Sequence, residues 1–586
     1  MKQAFLVGLG SLLAAVPLAA QTLRRVRVDT PGARELAAYL EQTGFDVLEG
    51  SVRETSLELV VSEPSMSKLL AMGYMPEVLE VGRPFQEIQG DVPSGYMNLA
   101  AIYADMQASA ASFPAICKFV DLTGTYGTPP TWEGRRLFAL KISDNVNADE
   151  DEPATLVVSD HHAREITTPV AALYAIDQLT TNYGSDPTIT QLVDASEIWI
   201  APVWNPDGYE YVFNVDNLWR KNRHVFPGGV GVDQNRNYPF GWSAPCAGSS
   251  SVSSDDYKGP SPGSEAETMT MMAWSQAERF AKVIDYHSFG REVLYEYACL
   301  SHPLLSFFAA EALVLSQMSG YGATRAPSAE GEHYEWQLAT FGNHAFLIEI
   351  DTAFQPSFAQ AQTEAARIFP GLTWMLARAL SVTGRVTDYQ TGLSLQANIT
   401  YKGFTFQNGE TNTSDPDTGR YHAFLPNGQQ TLTFSAPGYR TQNIAAFVSS
   451  TTPHVADVAL LPNGFCPTAA VFTRNRGANP NVYTATAPRV GQLMTLTVNT
   501  QGYQFATIFG VASPGLRTVG AFWGLIDLNS TTLFKFGPLS GPVAQTSVLI
   551  PPSTSLCGMY AYSQARLDNT SGPFGLTNAQ DLLVGN

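Results

Sequence analysis

The sequence predicts an α/β protein at its centre, with helices on both faces of a sheet. A small α+β unit precedes it and two all-β, sandwich-like units follow. Three observations lead there. Between residues 92 and 380, short apolar runs alternate with amphipathic stretches of helical period. Before residue 86 the strand and helix patterns are short and mixed. Beyond residue 380 helical periodicity gives way to short strands parted by Asn-Gly, Asp-Pro and Pro-Asn-Gly turns. A chain of 586 residues also exceeds one hydrophobic core.

The elements follow in order. Residues 1–20, "MKQAFLVGLGSLLAAVPLAA", combine a basic start, an apolar stretch and small residues, and read as a signal peptide. Residues 21–85 read as a βαββα unit with a final strand: "LRRVRVDT" alternates, "GARELAAYLEQTG" has helical spacing, "FDVLEGSVRETSLELVVS" holds two strands and "SMSKLLAMGY" a second helix. Residues 86–91 fall within the Gly- and Pro-containing linker "GRPFQEIQGDVPSG". In the central unit "LAAIYADMQASAASF", "PVAALYAIDQLTTNY" and "AQTEAARIFPGLTWMLARAL" are helices. "RRLFALKIS", "TLVVS", "EIWIAPV", "AKVIDYHS" and "HAFLIEI" are strands. Residues 381–462 form a small β unit, and residues 463–586 a second one.

A net charge of −19 argues against nucleic acid and against anionic membrane surfaces as the main partner. With 44% hydrophobic and 15% charged residues, the chain is globular. Past residue 20 no segment is long and apolar enough for a stable membrane span. These features and the leader point to secretion, extracellular or periplasmic. The five cysteines include no CxxC pair, so a thiolate metal site is not expected. In an oxidising compartment Cys466 and Cys557 are expected to pair, as are Cys246 and Cys299, leaving Cys117 buried and free.

Chemistry gathers where central strands end. His162 and Glu165 follow "TLVVS", His287 ends "AKVIDYH", and Glu349 ends the strand in "FLIEID". Ligands of open α/β sheets bind beyond the carboxyl ends of strands. Two imidazoles and one carboxylate are the ligand set of a catalytic zinc that keeps a position for water. The pair His162-x-x-Glu165 alone is weak, because a glutamate in a first helical turn beside surface histidines needs no metal.

Its surroundings decide. "HHAREITTP", "WNPDGYEYVF", "LWRKNRHVF", "GVDQNRNYPFGW", "YKGPSPGSEAET", "IDYHSFG" and "EHYEWQLATFGNHAFLIEID" occur in the order in which the zinc carboxypeptidases of the funnelin type carry them. Residues 92–380 thus resemble that family, which implies a mixed-sheet catalytic domain, one Zn2+ ion, and a peptide or protein substrate with a free C-terminal carboxylate. By this resemblance His162, Glu165 and His287 are the metal ligands, and His161 is not. Glu349 is the general base, Arg220 stabilises the oxyanion, and Asn235 and Arg236 bind the terminal carboxylate. Residues 21–85 sit where the family has a propeptide. Residues 381–462 resemble its transthyretin-like regulatory domain. For the last unit, surface or carbohydrate contact is the expectation.

Two departures concern the substrate. Counting 22 residues back from Glu349, where digestive relatives carry a mobile tyrosine, lands on Pro327, and Tyr321 and Tyr334 are the nearest tyrosines. The position that selects basic ends in carboxypeptidase B-like enzymes falls on Tyr334, whereas Glu332 stands where carboxypeptidase T has an acid. A mixed preference for hydrophobic and basic ends follows. Two further readings stay open at this point: a carboxypeptidase of cell-wall peptides, or an adhesion protein with a vestigial enzyme domain.

Overall fold

Strands covered on both faces dominate the centre of the molecule, a computed structural model that describes residues 22–88 and 95–586. The leader reading of residues 1–20 and part of the linker lie outside these. The N-terminal unit is a four-stranded antiparallel sheet, β1 (Arg24–Asp29), β2 (Asp46–Val47), β3 (Ser56–Val61) and β4 (Glu77–Val81), in the order β2–β3–β1–β4. Val26, Val28, Leu57, Leu59 and Val61 alternate inward against Leu36 and Leu40 of the Ala33–Gln42 helix. The Glu63–Ala71 helix starts where the Ser62 side chain accepts from Ser65 N. Within the predicted linker a short helix, Phe85–Ile88, buries Phe85 against Tyr96 and Phe213.

The catalytic-type sheet has eight strands: β5 (Cys117–Asp121), β6 (Phe138–Ile142), β7 (Ala154–Ser159), β8 (Glu197–Ala201), β11 (Lys282–Ser288), β12 (Glu292–Leu294), β13 (Ala323–Arg325) and β14 (His344–Ile350), with the hairpin β9 (Val225–Phe226) and β10 (Gly229–Val230) apart. Their order is β13–β12–β14–β11–β7–β8–β6–β5. The four central strands β14, β11, β7 and β8 run parallel, while β5, β6 and β12 pair antiparallel, so the sheet is mixed as expected. Every residue of β7, β8 and β11 is buried, which explains why apolar residues fall on both faces of these strands instead of alternating with polar ones. The helices Thr167–Thr181 and Phe358–Ala377 are among those that cover it.

The 381–462 unit folds as two small sheets. Val382–Asp388 pairs with Arg420–Ala423, His454–Val455 and Val458–Leu460, and Gly428–Ser435 pairs with Asn398–Tyr401 and Gln442–Val448. Its core is continuous with that of the central domain. The last unit is all β, with a five-stranded and a three-stranded sheet over their own core. Cys246–Cys299 and Cys466–Cys557 form disulfides, and Cys117 is buried and free. No helix among the described residues is long and apolar enough to cross a membrane.

Candidate active site

Asp160 follows β7 with φ of 63°, a left-handed turn that swings the chain off the strand. Glu165 N then donates to His162 O at 3.0 Å, and this tight turn brings both side chains to one side. His162 Nδ1 lies 2.8 Å from Glu165 Oε1 and 3.1 Å from His287 Nδ1, while His287 Nδ1 lies 3.2 Å from Glu165 Oε2. All three residues are buried, at 4%, 2% and 1% exposure. Zinc bonds of 2.0–2.2 Å set tetrahedral donors about 3.3 Å apart, so the donor set and its spacing fit that ion. The charges agree. Burial would raise the Glu165 carboxyl, yet the two imidazoles hold it well below its ordinary range. Burial, with Arg220, lowers His162. Burial would also lower His287, but Asp285 and Glu165 overcome it and raise this imidazole well above its usual value.

The second nitrogen of each imidazole meets a buried carboxylate. His162 Nε2 is 3.2 Å from Asp233 Oδ1, and His287 Nε2 is 3.3 Å from Asp285 Oδ1. Such partners fix the tautomer that turns Nδ1 toward the ion. Sequence reasoning passed over both. Asp233 lies inside the quoted "DQNRNY" run, and Asp285 lies two residues before His287, on the same face of its strand. Burial opposes the charge on Asp233, yet Arg220 and His162 hold its carboxyl well below the ordinary range.

Arg220, Asn235, Arg236, Glu332 and Glu349 line the same cavity of about 860 Å³ as the triad. Arg220 Nε donates to Asp233 Oδ2 at 2.9 Å. Asn235 N donates to Asp233 Oδ1 at 3.0 Å, and Arg236 Nη1 donates to Glu332 Oε1 at 2.8 Å. Glu349 stands opposite His287 in the parallel register of β11 and β14, which puts it at the same strand ends as the triad. Tyr334 is placed elsewhere. It is fully buried, its hydroxyl donates to Glu296 O at 2.9 Å, and it does not line the cavity. Among the described residues no tyrosine does. Ser328, Ala329 and Phe289 stand there, while Tyr321 donates to Glu364 Oε1 at 2.6 Å.

The N-terminal unit forms part of the wall, through Ala38, Glu41 and the 45–48 segment. Asp46 Oδ1 accepts from Arg164 Nη2 at 2.7 Å, and Gly44 O accepts from Ser254 Oγ at 2.6 Å. Arg164 also lies over the Phe354 ring.

Comparison with known proteins agrees with this geometry. The family model "Zinc carboxypeptidase" matches residues 102–400, just over half of the 586. Carboxypeptidase A2 of Rattus norvegicus is 31% identical over 275 residues, 44% of this chain and 63% of that protein. A zinc carboxypeptidase of Saccharothrix mutabilis subsp. capreolus is 35% identical over 246 residues, 39% of this chain and 54% of that protein. The chain thus spans less than two thirds of either relative. The crystal structure of carboxypeptidase A from Helicoverpa armigera superposes with a TM-score of 0.50 at 22% identity, over 60% of this chain and 96% of that one, a likeness of fold. Motif order, a buried two-histidine, one-glutamate cluster at parallel strand ends and the match over residues 102–400 together establish that the chain belongs to the zinc carboxypeptidase family.

Proposed function

We propose that this chain is a secreted, zinc-dependent metallocarboxypeptidase that removes C-terminal residues from peptides and proteins. The observation that carries the reading is the convergence of His162, Glu165, His287, Glu349, Arg220, Asn235 and Arg236 on one cavity. Two disulfides suit an oxidising compartment.

A zinc ion held by His162, Glu165 and His287 would polarise the scissile carbonyl and acidify a water, to a pKa of about 7 in favourable sites. The Glu349 carboxylate takes the proton from that water and gives it to the leaving amine. Arg220 donates to the carbonyl oxygen as negative charge grows there, and Asp233 keeps its guanidinium oriented. Arg236 grips the substrate's α-carboxylate with paired hydrogen bonds, Asn235 assists, and the grip sets the cut one residue from the chain end. Glu332, now on Arg236, is released to face a basic side chain, so both hydrophobic and basic ends are accepted.

The N-terminal unit acts as a propeptide. It walls the cavity, and Asp46 holds Arg164. The 381–462 unit, with its two small sheets, takes the transthyretin-like role of a support for the catalytic domain. Release of amino acids from peptides ending in Phe, Leu, Lys or Asp, before and after limited proteolysis, tests the reading. Phe, Leu and Lys ends are cleaved after proteolysis, a chelator stops it, and Glu332→Gln lowers Lys release more than Phe release. Cleavage that survives the chelator, or none at Phe and Lys ends alike, would contradict it.

A further inference from the structure

Behind the metal triad lies a second buried group, gathered around one carboxylate. Asp285, on β11, is fully buried. One of its oxygens is 3.0 Å from His161 Nδ1 and 3.3 Å from His287 Nε2; the other is 3.1 Å from His333 Nδ1. A carboxylate only accepts, so all three nitrogens carry hydrogen. In neutral rings the other nitrogens of His161 and His333 accept, and each has a donor. Tyr238 Oη stands 3.0 Å from His161 Nε2, and Gln337 Nε2 stands 3.0 Å from His333 Nε2.

The pattern continues. Gln337 Oε1 accepts from Asn343 Nδ2 at 2.8 Å, and Asn343 Oδ1 lies 3.1 Å from His422 Nε2. His422 belongs to the β unit after the catalytic domain and borders a cleft of about 810 Å³ between the two. The His161 ring also lies parallel to His287, with planes 12° apart and centroids 5.6 Å apart. Nothing in peptide hydrolysis uses His161, His333 or His422. A fully satisfied buried polar chain is nonetheless stiff, because each member loses its partner if one moves.

We infer that Asp285 is the positioning residue for the third metal ligand, and that the chain His287–Asp285–His333–Gln337–Asn343–His422 makes the 381–462 unit a structural support of the metal site. Asp285 accepts the His287 Nε2 hydrogen and so presents Nδ1 to the ion; His161 and His333 prevent the carboxylate from turning. The far end ties this arrangement to a second domain. The inference rests on the proposed zinc site.

Zinc affinity of the full chain, by competition with a chromophoric chelator, is the test, with kcat and KM measured alongside and circular dichroism as a check of folding. Asp285→Asn, which keeps the shape but replaces one of the two acceptor oxygens by a donor and removes the charge, is expected to weaken zinc on the order of 10- to 100-fold, to lower kcat, and to leave KM nearly unchanged. His422→Ala, some distance from the ion and at the domain border, is expected to weaken zinc by a smaller factor, roughly two- to thirty-fold. Unchanged affinity in a folded Asp285→Asn or in His422→Ala would overturn the inference. So would two zinc ions per unsubstituted chain with one lost in Asp285→Asn, since His161, Asp285 and His333 would then be ligands. If Asp285→Asn fails to fold, His422→Ala decides. Lack of zinc in the unsubstituted chain would instead remove the functional reading itself, which a variant-only result cannot do.

Discussion

The twin histidines differ in what their ring nitrogens find. His162 Nδ1 meets Glu165 and His287, whereas His161 Nδ1 meets Asp285 and its Nε2 meets Tyr238. His162→Ala should therefore abolish stoichiometric zinc binding, while His161→Ala should retain the ion with weaker affinity. Zinc content after gel filtration separates them, and equal loss from both would contradict the assignment. The His162, Glu165 and His287 cluster, and the arginines that line its cavity, were legible in the sequence because each sits in a short motif that occurs in family order. The Asp285 network was not. Its members lie on separate segments from 161 to 422, and only the fold brings them together. The reading of Tyr334 rested on an ungapped count, whereas the structure turns that side chain into the core behind the cavity.

At the scale of elements, the N-terminal unit meets the catalytic domain across charged groups. Asp255 lies at this contact. Burial raises its carboxyl; Lys221 and Arg164 oppose, while Asp46 and Asp256 reinforce, and the result is a pKa of about 7. A free aspartate titrates at ~3.9, so the docked form keeps the proton between ~3.9 and about 7. That contribution to docking is present in full at low pH and is lost as pH rises through about 7, when Asp255 becomes charged beside Asp46. The activity of the full chain, relative to one freed of residues 22–88, should thus be lower at pH 6 than at pH 8. Asp255→Asn should flatten this difference. An unchanged profile in that variant would remove Asp255 from the contact.

Strand and helix patterns show which elements were readable. β7, β8, β11 and β14 stood out by β-branched and aromatic residues on both faces, because both of their faces are covered. The Pro206–Asn214 helix begins in "NPDG", a sequence with a strong turn signal. Here Asn205 caps the helix by accepting from Gly208 N, and Pro206 takes the first turn, where its missing N–H costs nothing. The Leu305–Met318 helix exposes Leu305, Leu313, Val314 and Met318, and these apolar residues on its outer side blur the period.

Across the whole molecule, the central domain and the 381–462 unit share one core, while the last unit has its own core closed by Cys466–Cys557. Replacing both of those cysteines by Ala should cost the last unit about 2–5 kcal/mol of stability and leave kcat/KM unchanged. Calorimetry and a peptide assay check the two halves of that statement, and a fall in kcat/KM would tie the last unit to catalysis. The all-β character of residues 381–586 was legible from turns and alternation. The shared core was not, because it depends on which apolar faces meet.

The central claim is hydrolysis guided by a free terminal carboxylate and dependent on zinc. Its most direct test compares one peptide as free acid and as C-terminal amide, with the chain freed of residues 22–88, with and without a chelator. Release of the terminal residue from the acid alone, stopped by the chelator and restored by added zinc, is the predicted result. Equal cleavage of acid and amide, or cleavage indifferent to the chelator, would contradict it.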